Sequence, residues 1–147
     1  MLRFFLIILS VLVVDQGSKY LVRWQMDLGE SIPLIENLFH LTYIENPGAA
    51  FGMLANKTVL FVILTVVIVG VMAYIALKMA NKRSWSFYAL ALVIGGALGN
   101  LIDRVAKQTV TDMFDFRIWP IFNVADMALV IGLLYIAYRL IFHGEDF

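Results

Sequence analysis

The stretch TVLFVILTVVIVGVMAYIAL, residues 58–77, runs for twenty residues without a charged side chain. A helix needs about twenty apolar residues to cross the hydrocarbon core of a bilayer, so this stretch predicts a membrane-spanning helix. The composition of the whole chain agrees, because 62% of its residues are apolar, whereas soluble domains are nearer about one half apolar. A length of 147 residues leaves room for about four such spans joined by modest loops.

Three further apolar segments complete a predicted bundle of four helices. Residues 3–24 open like a signal peptide, but no small-residue cleavage site follows, so we interpret them as a spanning helix. Residues 86–104 and 118–141 supply the other two spans, and we expect a short polar loop over residues 106–113. The predicted fold class is an all-α integral membrane domain covering residues 1–147, with spans at 3–24, 58–77, 86–104 and 118–141.

The segment between the first two spans, residues 26–56, has a different character. It contains several turn-forming Pro, Gly and Asn residues, and residues 38–45 are rich in aromatic and β-branched side chains. That pattern is typical of an extended strand rather than of a helix. We therefore expect a small β platform lying on the outer face of the membrane.

The loop between the second and third spans predicts the orientation. It carries Lys78, Lys82 and Arg83 and no acidic residue, which is typical of a short cytoplasmic loop. Four spans then place both termini in the cytoplasm and the platform on the opposite side. Nine of the eleven acidic residues fall on that outer half, so the acidic groups concentrate at one membrane surface.

The stretch DMFDFRIWPIFNVAD, residues 112–126, leads from that surface into the fourth span. A carboxylate inside an apolar segment is energetically costly, so Asp126 must be paired or used. Asp15 and Lys19 are spaced four apart on the first helix and can pair with each other. Polar side chains from several segments should meet at this outer level, namely Asp15, Asn46, Asn100, Asp103, Arg104, Asp112, Asn123 and Asp126.

The residue types leave three functions open. Two carboxyl groups in one site cannot both ionise readily, so one becomes an acid beside a base, as in aspartic proteases. A proton- or ion-coupled transporter also places carboxylates near arginine and asparagine, although usually at the bilayer midplane and with internal repeats. A scaffold whose carboxylates only anchor helix ends is the third possibility.

Other partners and cofactors are disfavoured. The net formal charge is zero, so nothing indicates binding to nucleic acid. The chain has no cysteine, which excludes disulfides, thiol nucleophiles and cysteine metal sites. Its two histidines, His40 and His143, lie far apart in sequence, so we expect neither a metal centre nor a cofactor.

Five motifs occur in an order that resembles the bacterial lipoprotein signal peptidase family, also called signal peptidase II. They are Asp15-Gln16-x-x-Lys19, Asn46-x-Gly48-Ala49-Ala50-Phe51, Gly95-Gly96-Ala97-x-Gly99-Asn100-x-x-Asp103-Arg104, Val110-x-Asp112-x-x-x-Phe116 and Phe122-Asn123-x-Ala125-Asp126. Each motif is weak alone, but the resemblance covers residues 3–141 with all five in register, which makes it specific.

The resemblance implies an aspartic endopeptidase of the bacterial inner membrane. Such enzymes remove the signal peptide of prolipoproteins before a cysteine that carries diacylglycerol, and globomycin-type cyclic peptides inhibit them. The implied catalytic pair is Asp112 and Asp126, and Asp115 is the competing candidate for the first position. The implied supporting residues are Asp15, Lys19, Asn46, Gly48, Asn100, Asp103, Arg104 and Asn123. Walls for the substrate lipid, or simply interfacial packing, would come from Phe51, Phe114, Phe116 and Trp119.

Overall fold

The computed structural model describes residues 1–48, 57–79 and 84–144. Its elements are α1 (Leu2–Gln25), β1 (Ser31–Ile35), β2 (Phe39–Asn46), α2 (Thr58–Lys78), α3 (Trp85–Lys107), β3 (Val110–Asp115) and α4 (Val124–His143). Within these residues, four helices are long and apolar enough to cross a membrane, which confirms the predicted fold class. Phe51, Lys82 and Arg83, which the sequence predictions used, lie outside the described residues.

Helix α3 is the centre of the bundle. It buries thirteen of its 23 residues, whereas α2 buries only Ala76. It also contacts each of the other three helices. The apolar side chains that α1, α2 and α4 turn outward are suited to lipid rather than to water. The buried residues of α3 include the polar side chains of Ser86, Asn100 and Asp103.

The glycines of α3 allow its neighbours to approach closely. A Cβ added to Gly95 would lie 3.0 Å from the Val11 Cβ of α1. A Cβ on Gly96 would collide with the Ala125 carbonyl oxygen of α4. A Cβ on Gly99, four residues after Gly95, would lie 2.6 Å from Asp15 Oδ2 of α1. These glycines thus serve helix packing within this chain, as small residues do in other membrane bundles.

We expect Gly96→Ala to lower stability, because the atom in the way belongs to the backbone of α4 and cannot rotate aside. Overpacking of this kind costs about 1–3 kcal/mol. Thermal unfolding in detergent measures the effect. Gly70→Ala is the matched control, since nothing lies within 4 Å of a Cβ added there. Equal melting temperatures for the two variants would contradict this account of α3.

The sheet has three antiparallel strands in the order β1-β2-β3. The prediction of an extended strand over residues 38–45 is confirmed by β2. The prediction of a polar loop over residues 106–113 is wrong, because α3 continues to Lys107 and β3 begins at Val110. Pairing with β2 makes β3 extended. No local sequence pattern predicts pairing with a strand so distant in the chain.

The fourth helix begins at Val124, so the predicted span over residues 118–141 starts six residues too early. Phe122 forms a β-bridge with Phe114, with N–O distances of 2.8 and 3.1 Å between their backbones. A residue held in a bridge cannot also be helical. Asn123 then caps the helix. The apolar residues that precede it form a loop beside the sheet.

Candidate active site

The N-terminus of α4 holds the first carboxyl group of the site. Asn123 Oδ1 accepts a hydrogen bond from the Asp126 amide (2.9 Å), and Asp126 Oδ2 accepts one from the Asn123 amide (3.2 Å). This reciprocal capping box fixes the Asp126 side chain against the helix end. Its other oxygen, Oδ1, accepts a hydrogen bond from Asn100 Nδ2 of α3 at 2.7 Å.

Strand β3 supplies the second carboxyl group. Asp112 Oδ1 accepts a hydrogen bond from Asn123 Nδ2 (2.6 Å), and its Oδ2 accepts one from Asn46 Nδ2 of β2 (2.9 Å). Asn123 therefore contacts both carboxyl residues. Asp112 and Asp126 line the same cavity, which has a volume of about 390 Å³. The structure thus brings the two predicted catalytic residues together.

The surroundings of Asp112 favour its neutral form. Burial raises the pKa of Asp112, and the nearby charge of Asp126 raises it further, to about 7. Hydrogen bonds from Asn46 and Asn123 act in the opposite direction but do not outweigh these effects. A buried carboxyl loses the hydration of its charge, and a second carboxylate repels that charge. Below about pH 7 the cavity therefore presents a protonated Asp112 beside the carboxyl group of Asp126.

The raised pKa of Asp112 predicts a pH-dependent stability. Between about pH 4 and pH 7 the folded protein keeps a proton that the unfolded chain, with an ordinary pKa of 3.8, has released. The contribution of protonated Asp112 to the free energy of unfolding is therefore present at low pH and is lost as the pH rises through 7. Asp112→Asn cannot ionise, so its melting temperature relative to wild type should climb from pH 4 to pH 8.

Asp115→Asn is the control for this pH series. Partial burial raises the pKa of Asp115, but hydrogen bonds from Arg117 and Thr42 outweigh it and hold that pKa below the ordinary value. Its contribution is therefore already complete above about pH 4 and is lost only below it. A melting temperature of Asp112→Asn that runs parallel to wild type over the series would contradict the raised pKa.

The competing carboxyl, Asp115, lies away from the cavity. Side chains an odd number of residues apart on a strand point to opposite faces, and Asp115 is three residues beyond Asp112. It accepts a hydrogen bond from Thr42 Oγ1 (3.0 Å) and pairs with Arg117 Nη1 (3.1 Å). It does not line the cavity. The structure therefore pairs Asp112, rather than Asp115, with Asp126.

Three of the predicted supporting residues form a buried ionic cluster behind the cavity. Lys19 Nζ contacts Asp15 Oδ2 at 2.9 Å, Asp103 Oδ2 at 3.1 Å and Asn100 Oδ1 at 3.0 Å. Lys19 and Asp15 are 0% exposed and Asp103 is 2% exposed. Asp15 Oδ1 also accepts a hydrogen bond from the Ala125 amide (2.9 Å). The cluster therefore orients Asn100 and the start of α4 without lining the cavity.

The remaining supporting residues belong to the cavity wall or to its hydrogen-bond network. Asn46, Gly48, Asn100 and Arg104 line the cavity, while Asn123 is buried between the two carboxyl groups. Arg104 Nη2 donates to the Gly48 carbonyl oxygen at 3.3 Å. Its guanidinium carbon lies 4.8 Å from the centre of the Phe61 ring. One cation is thus held at the wall that faces the carboxyl pair.

Sequence reasoning missed most of the apolar wall. Of the three proposed aromatic residues that the structure describes, Trp119 lines the cavity, while Phe114 and Phe116 pack against Phe39 of β2. Phe122 was missed, although its position directly before the helix cap was visible in the sequence. The other missed wall residues are spread over α2, α3, β3, α4 and the loop before α4, namely Thr65, Ile68, Ala97, Val110, Pro120, Ile121, Leu129 and Val130.

The polar groups of the site are carboxyl, amide and guanidinium groups. Across residues 1–48, 57–79 and 84–144, no group of three or more His, Asp or Glu side chains is placed to hold a metal ion.

Comparison with known proteins identifies close relatives. A family model described as signal peptidase (SPase) II matches residues 7–142. The lipoprotein signal peptidase of Moorella thermoacetica is 48% identical over 138 residues, which cover 94% of this chain and 92% of that protein. The lipoprotein signal peptidase of Pelotomaculum thermopropionicum is 49% identical over 137 residues, covering 93% and 90%.

Solved structures agree with this similarity. A bacterial membrane enzyme determined by the in meso method at 2.3 Å resolution has a TM-score of 0.89 and 37% identity, over 94% of this chain and 87% of that one. A second, determined by the same method at 1.9 Å resolution, has a TM-score of 0.87 and 36% identity, over 96% and 94%.

Proposed function

The chain belongs to the signal peptidase II family, and we propose that it is an aspartic endopeptidase that removes signal peptides from diacylglyceryl-modified prolipoproteins. The observation that carries the proposal is the cavity that Asp112 and Asp126 line together. The pair lies at the sheet end of the helices rather than midway along them. That position suits hydrolysis at a membrane surface better than the transport alternative.

We propose that Asp126 acts as the base and Asp112 as the acid. The Asp126 carboxylate takes a proton from water as the water oxygen attacks the scissile carbonyl carbon, and Asp112 gives its proton to the carbonyl oxygen. In the second step Asp126 returns its proton to the leaving amine of the cysteine, Asp112 recovers a proton from the intermediate, and the C–N bond breaks. The raised pKa of Asp112 supports its role as the initial acid.

The amide and guanidinium groups of the wall are proposed to serve this chemistry. Asn46 and Asn123 orient Asp112, and Asn100 orients Asp126. Arg104 faces the cavity and is suited to stabilise negative charge that develops on the carbonyl oxygen. Fixed donors of this kind act without reorganisation at the moment of reaction.

The lipid of the substrate is proposed to lie along an apolar groove beside Asp126. The groove has a volume of about 400 Å³ and is lined by Trp119, Phe122, Asp126, Met127, Val130 and Ile131. An acyl chain held there would place the adjoining peptide bond next to the carboxyl pair. Holding the reacting groups together in this way lowers the barrier through proximity.

We also propose that the chain is a single domain in the bacterial inner membrane, with its site at the outer face. The start of α1, the end of α2 and the start of α3 meet in one apolar cluster that contains Phe4, Ala76 and Phe87, and Ile136 of α4 packs against it. Arg3, Lys78 and Arg139 lie toward the same ends of these helices, and basic residues favour the cytoplasmic side. Both termini are then cytoplasmic.

The decisive test is cleavage by the purified protein in detergent. A diacylglyceryl-modified prolipoprotein should be cut before its lipidated cysteine, and an unlipidated twin should remain intact. A globomycin-type cyclic peptide, implied as an inhibitor by family resemblance, should block the reaction. Failure of the folded wild-type protein to cut the lipidated substrate would overturn the proposed function.

Trp119→Ala should raise KM for the lipidated substrate by about tenfold or more. The Trp119 ring is 65% exposed in the free protein, and covering it with an acyl chain would contribute about 1.5–3 kcal/mol to binding. kcat should change much less, since the ring holds the lipid rather than the reacting atoms. Steady-state cleavage at several substrate concentrations separates the two constants. Trp24→Ala is the control, because Trp24 is exposed and lines neither the cavity nor the groove. Equal KM values for both variants would show that Trp119 does not contact the lipid of the substrate.

A further inference from the structure

A second polar cluster joins the sheet to the end of α3, outside the cavity. Its centre is the Glu45 carboxylate of β2, which accepts hydrogen bonds from four donor groups. Lys107 Nζ lies 2.8 Å from each Glu45 oxygen, and the Thr109 and Thr111 hydroxyls donate at 2.6 and 2.9 Å. The Tyr43 hydroxyl donates at 3.0 Å. One side chain thus ties together β2, β3 and the C-terminus of α3.

Glu45 is held in its charged form by these contacts. Partial burial raises the pKa of Glu45, but the hydrogen bonds from Lys107, Thr109 and Thr111 outweigh it and leave that pKa below its ordinary value. Hydrogen bonds to an ionised group are roughly twice as strong as neutral ones. Removing the charge would leave the Lys107 ammonium without its counter-ion.

Every polar atom of Thr111, the residue before Asp112, forms a hydrogen bond. Its hydroxyl donates to Glu45 and accepts from Lys107 Nζ (2.6 Å) and Arg23 Nη1 (3.0 Å). Its amide donates to Asp103 Oδ2 (3.2 Å), and its carbonyl oxygen accepts from Asn123 Nδ2 (3.4 Å). It is 0% exposed. The backbone that carries Asp112 is therefore fixed on its N-terminal side.

The Glu45 cluster also determines how the two strands meet. Glu45 is the cross-strand partner of Thr111, and the next residue, Asn46, is the one that donates to Asp112. Asn46 Oδ1 accepts from the Gly48 amide at 3.0 Å, which turns its Nδ2 toward Asp112. Movement of β2 relative to β3 would therefore lengthen the Asn46–Asp112 hydrogen bond directly.

We propose that Glu45 is a positioning residue, which holds Asn46 and Asp112 in their reactive geometry through its contacts with Lys107, Thr109 and Thr111. This inference rests on the proposed function. Asn46 and Asp112 line the cavity, whereas Glu45, Lys107, Thr109 and Thr111 do not and therefore need not touch the substrate. The role belongs to the contacts of this chain rather than to any of the five motifs, which omit Glu45 and Lys107.

The test is Glu45→Gln, which keeps the size of the side chain and removes its charge. We expect kcat for the lipidated prolipoprotein to fall by about 10- to 100-fold, since small misplacements of catalytic groups have effects of that order. KM should stay unchanged, because the substrate walls are intact. The limb of the pH–rate profile that reports Asp112 should move to higher pH, since its hydrogen bond from Asn46 is weakened.

Glu36→Gln is the matched control, because Glu36 is an exposed carboxylate in the turn between β1 and β2. A double-variant cycle with Asn46→Ala adds a readout that general destabilisation does not move. If Glu45 acts through Asn46, the kcat losses of the two single variants should not add in the double variant. Additive losses, or a kcat for Glu45→Gln equal to that of Glu36→Gln, would overturn the inference.

Thr109→Val keeps the inference testable if Glu45→Gln does not fold. It removes one donor to Glu45 and should lower kcat in the same direction by a smaller factor, with KM unchanged. A kcat equal to wild type would count against the inference. Wild-type cleavage in the same assay distinguishes failure of the proposed function from failure of this inference. If the wild-type protein does not cleave the substrate, the proposed function is overturned. If Glu45→Gln is fully active, only the positioning role of Glu45 is overturned.

Discussion

Asp112→Asn and Asp126→Asn should each abolish cleavage of a lipidated prolipoprotein. Loss of one general acid or base costs about 10²- to 10⁴-fold in rate, and residues that act as a unit give losses at the upper end of such a range. The reason lies in the shared cavity, where one carboxyl must release a proton and the other must take one. Either substitution leaves a side chain that can do neither.

The measurement is initial-rate cleavage by purified variants in detergent, with thermal unfolding as the check that each variant is folded. Both variants keep the size of the side chain, so the bundle should be preserved. The double variant should be no slower than the slower single variant, because the two residues perform one proton relay. Substantial activity in either folded single variant would overturn the proposed mechanism.

Asp115→Asn is the matched control, as it makes the same chemical change three residues along β3. Its carboxyl contacts Thr42 and Arg117 outside the cavity, so activity should largely survive. An inactive Asp115→Asn enzyme beside an active Asp112→Asn enzyme would reverse the assignment. In the sequence, only the Val110-x-Asp112 pattern of the family motif favoured Asp112 over Asp115. The alternation of side chains along β3 adds a geometric reason, because it places the two carboxyl groups on opposite faces.

The helices were predictable because a bilayer imposes a length and an apolar composition on each span. The twenty uncharged residues at 58–77 correspond closely to α2, Thr58–Lys78. The start of α4 was not predictable in the same way, because residues 118–122 are as apolar as a span. The backbone bridge between Phe114 and Phe122 holds them outside the helix, which the Asn123 capping box then begins. The bridge depends on the tertiary fold.

The catalytic candidates were predictable from the cost of placing carboxylates next to hydrocarbon, together with their motifs. The positions of the supporting residues were harder to predict, because a sequence motif does not distinguish residues that line the cavity from residues buried behind it. Asn46 and Arg104 line the cavity, whereas Asp15 and Lys19 lie behind it. The i, i+4 spacing predicted the Asp15–Lys19 pair, but the third member, Asp103, required the packing of α1 against α3.

Lys19→Met should cause the largest loss of stability among single substitutions in the ionic cluster. Lys19 lies between the carboxylates of Asp15 and Asp103, at 2.9 and 3.1 Å. Methionine fills similar space but removes the cation that Asp15 contacts, and it leaves Asp103 with the longer contact to Arg23 Nη1 at 3.8 Å. Removing one partner of a buried ion pair costs about 3–5 kcal/mol, because the remaining charge has lost both water and partner.

The loss should reach the active site as well. Lys19 Nζ also donates to Asn100 Oδ1, and Asn100 in turn donates to Asp126. Without the ammonium group, the Asn100 amide loses the contact that fixes its orientation. We therefore expect Lys19→Met to lower kcat in the fraction that remains folded, as well as the melting temperature.

A second substitution separates loss of charge balance from loss of packing. Lys19→Met combined with Asp103→Asn removes one uncompensated charge and should recover part of the stability lost in Lys19→Met, a coupling that a double-variant cycle measures. Lys57→Met, at an exposed lysine before α2, should stay within about 0.5 kcal/mol of wild type. Equal melting temperatures for Lys19→Met and Lys57→Met would show that Lys19 is dispensable as a counter-ion. The same would follow if adding Asp103→Asn to Lys19→Met restored none of the lost stability. The buried carboxylates would then have to be held by their other contacts, namely the hydrogen bonds to Asp15 from Gln16 and the Ala125 amide and the contacts of Asp103 with Arg23 and the Thr111 amide.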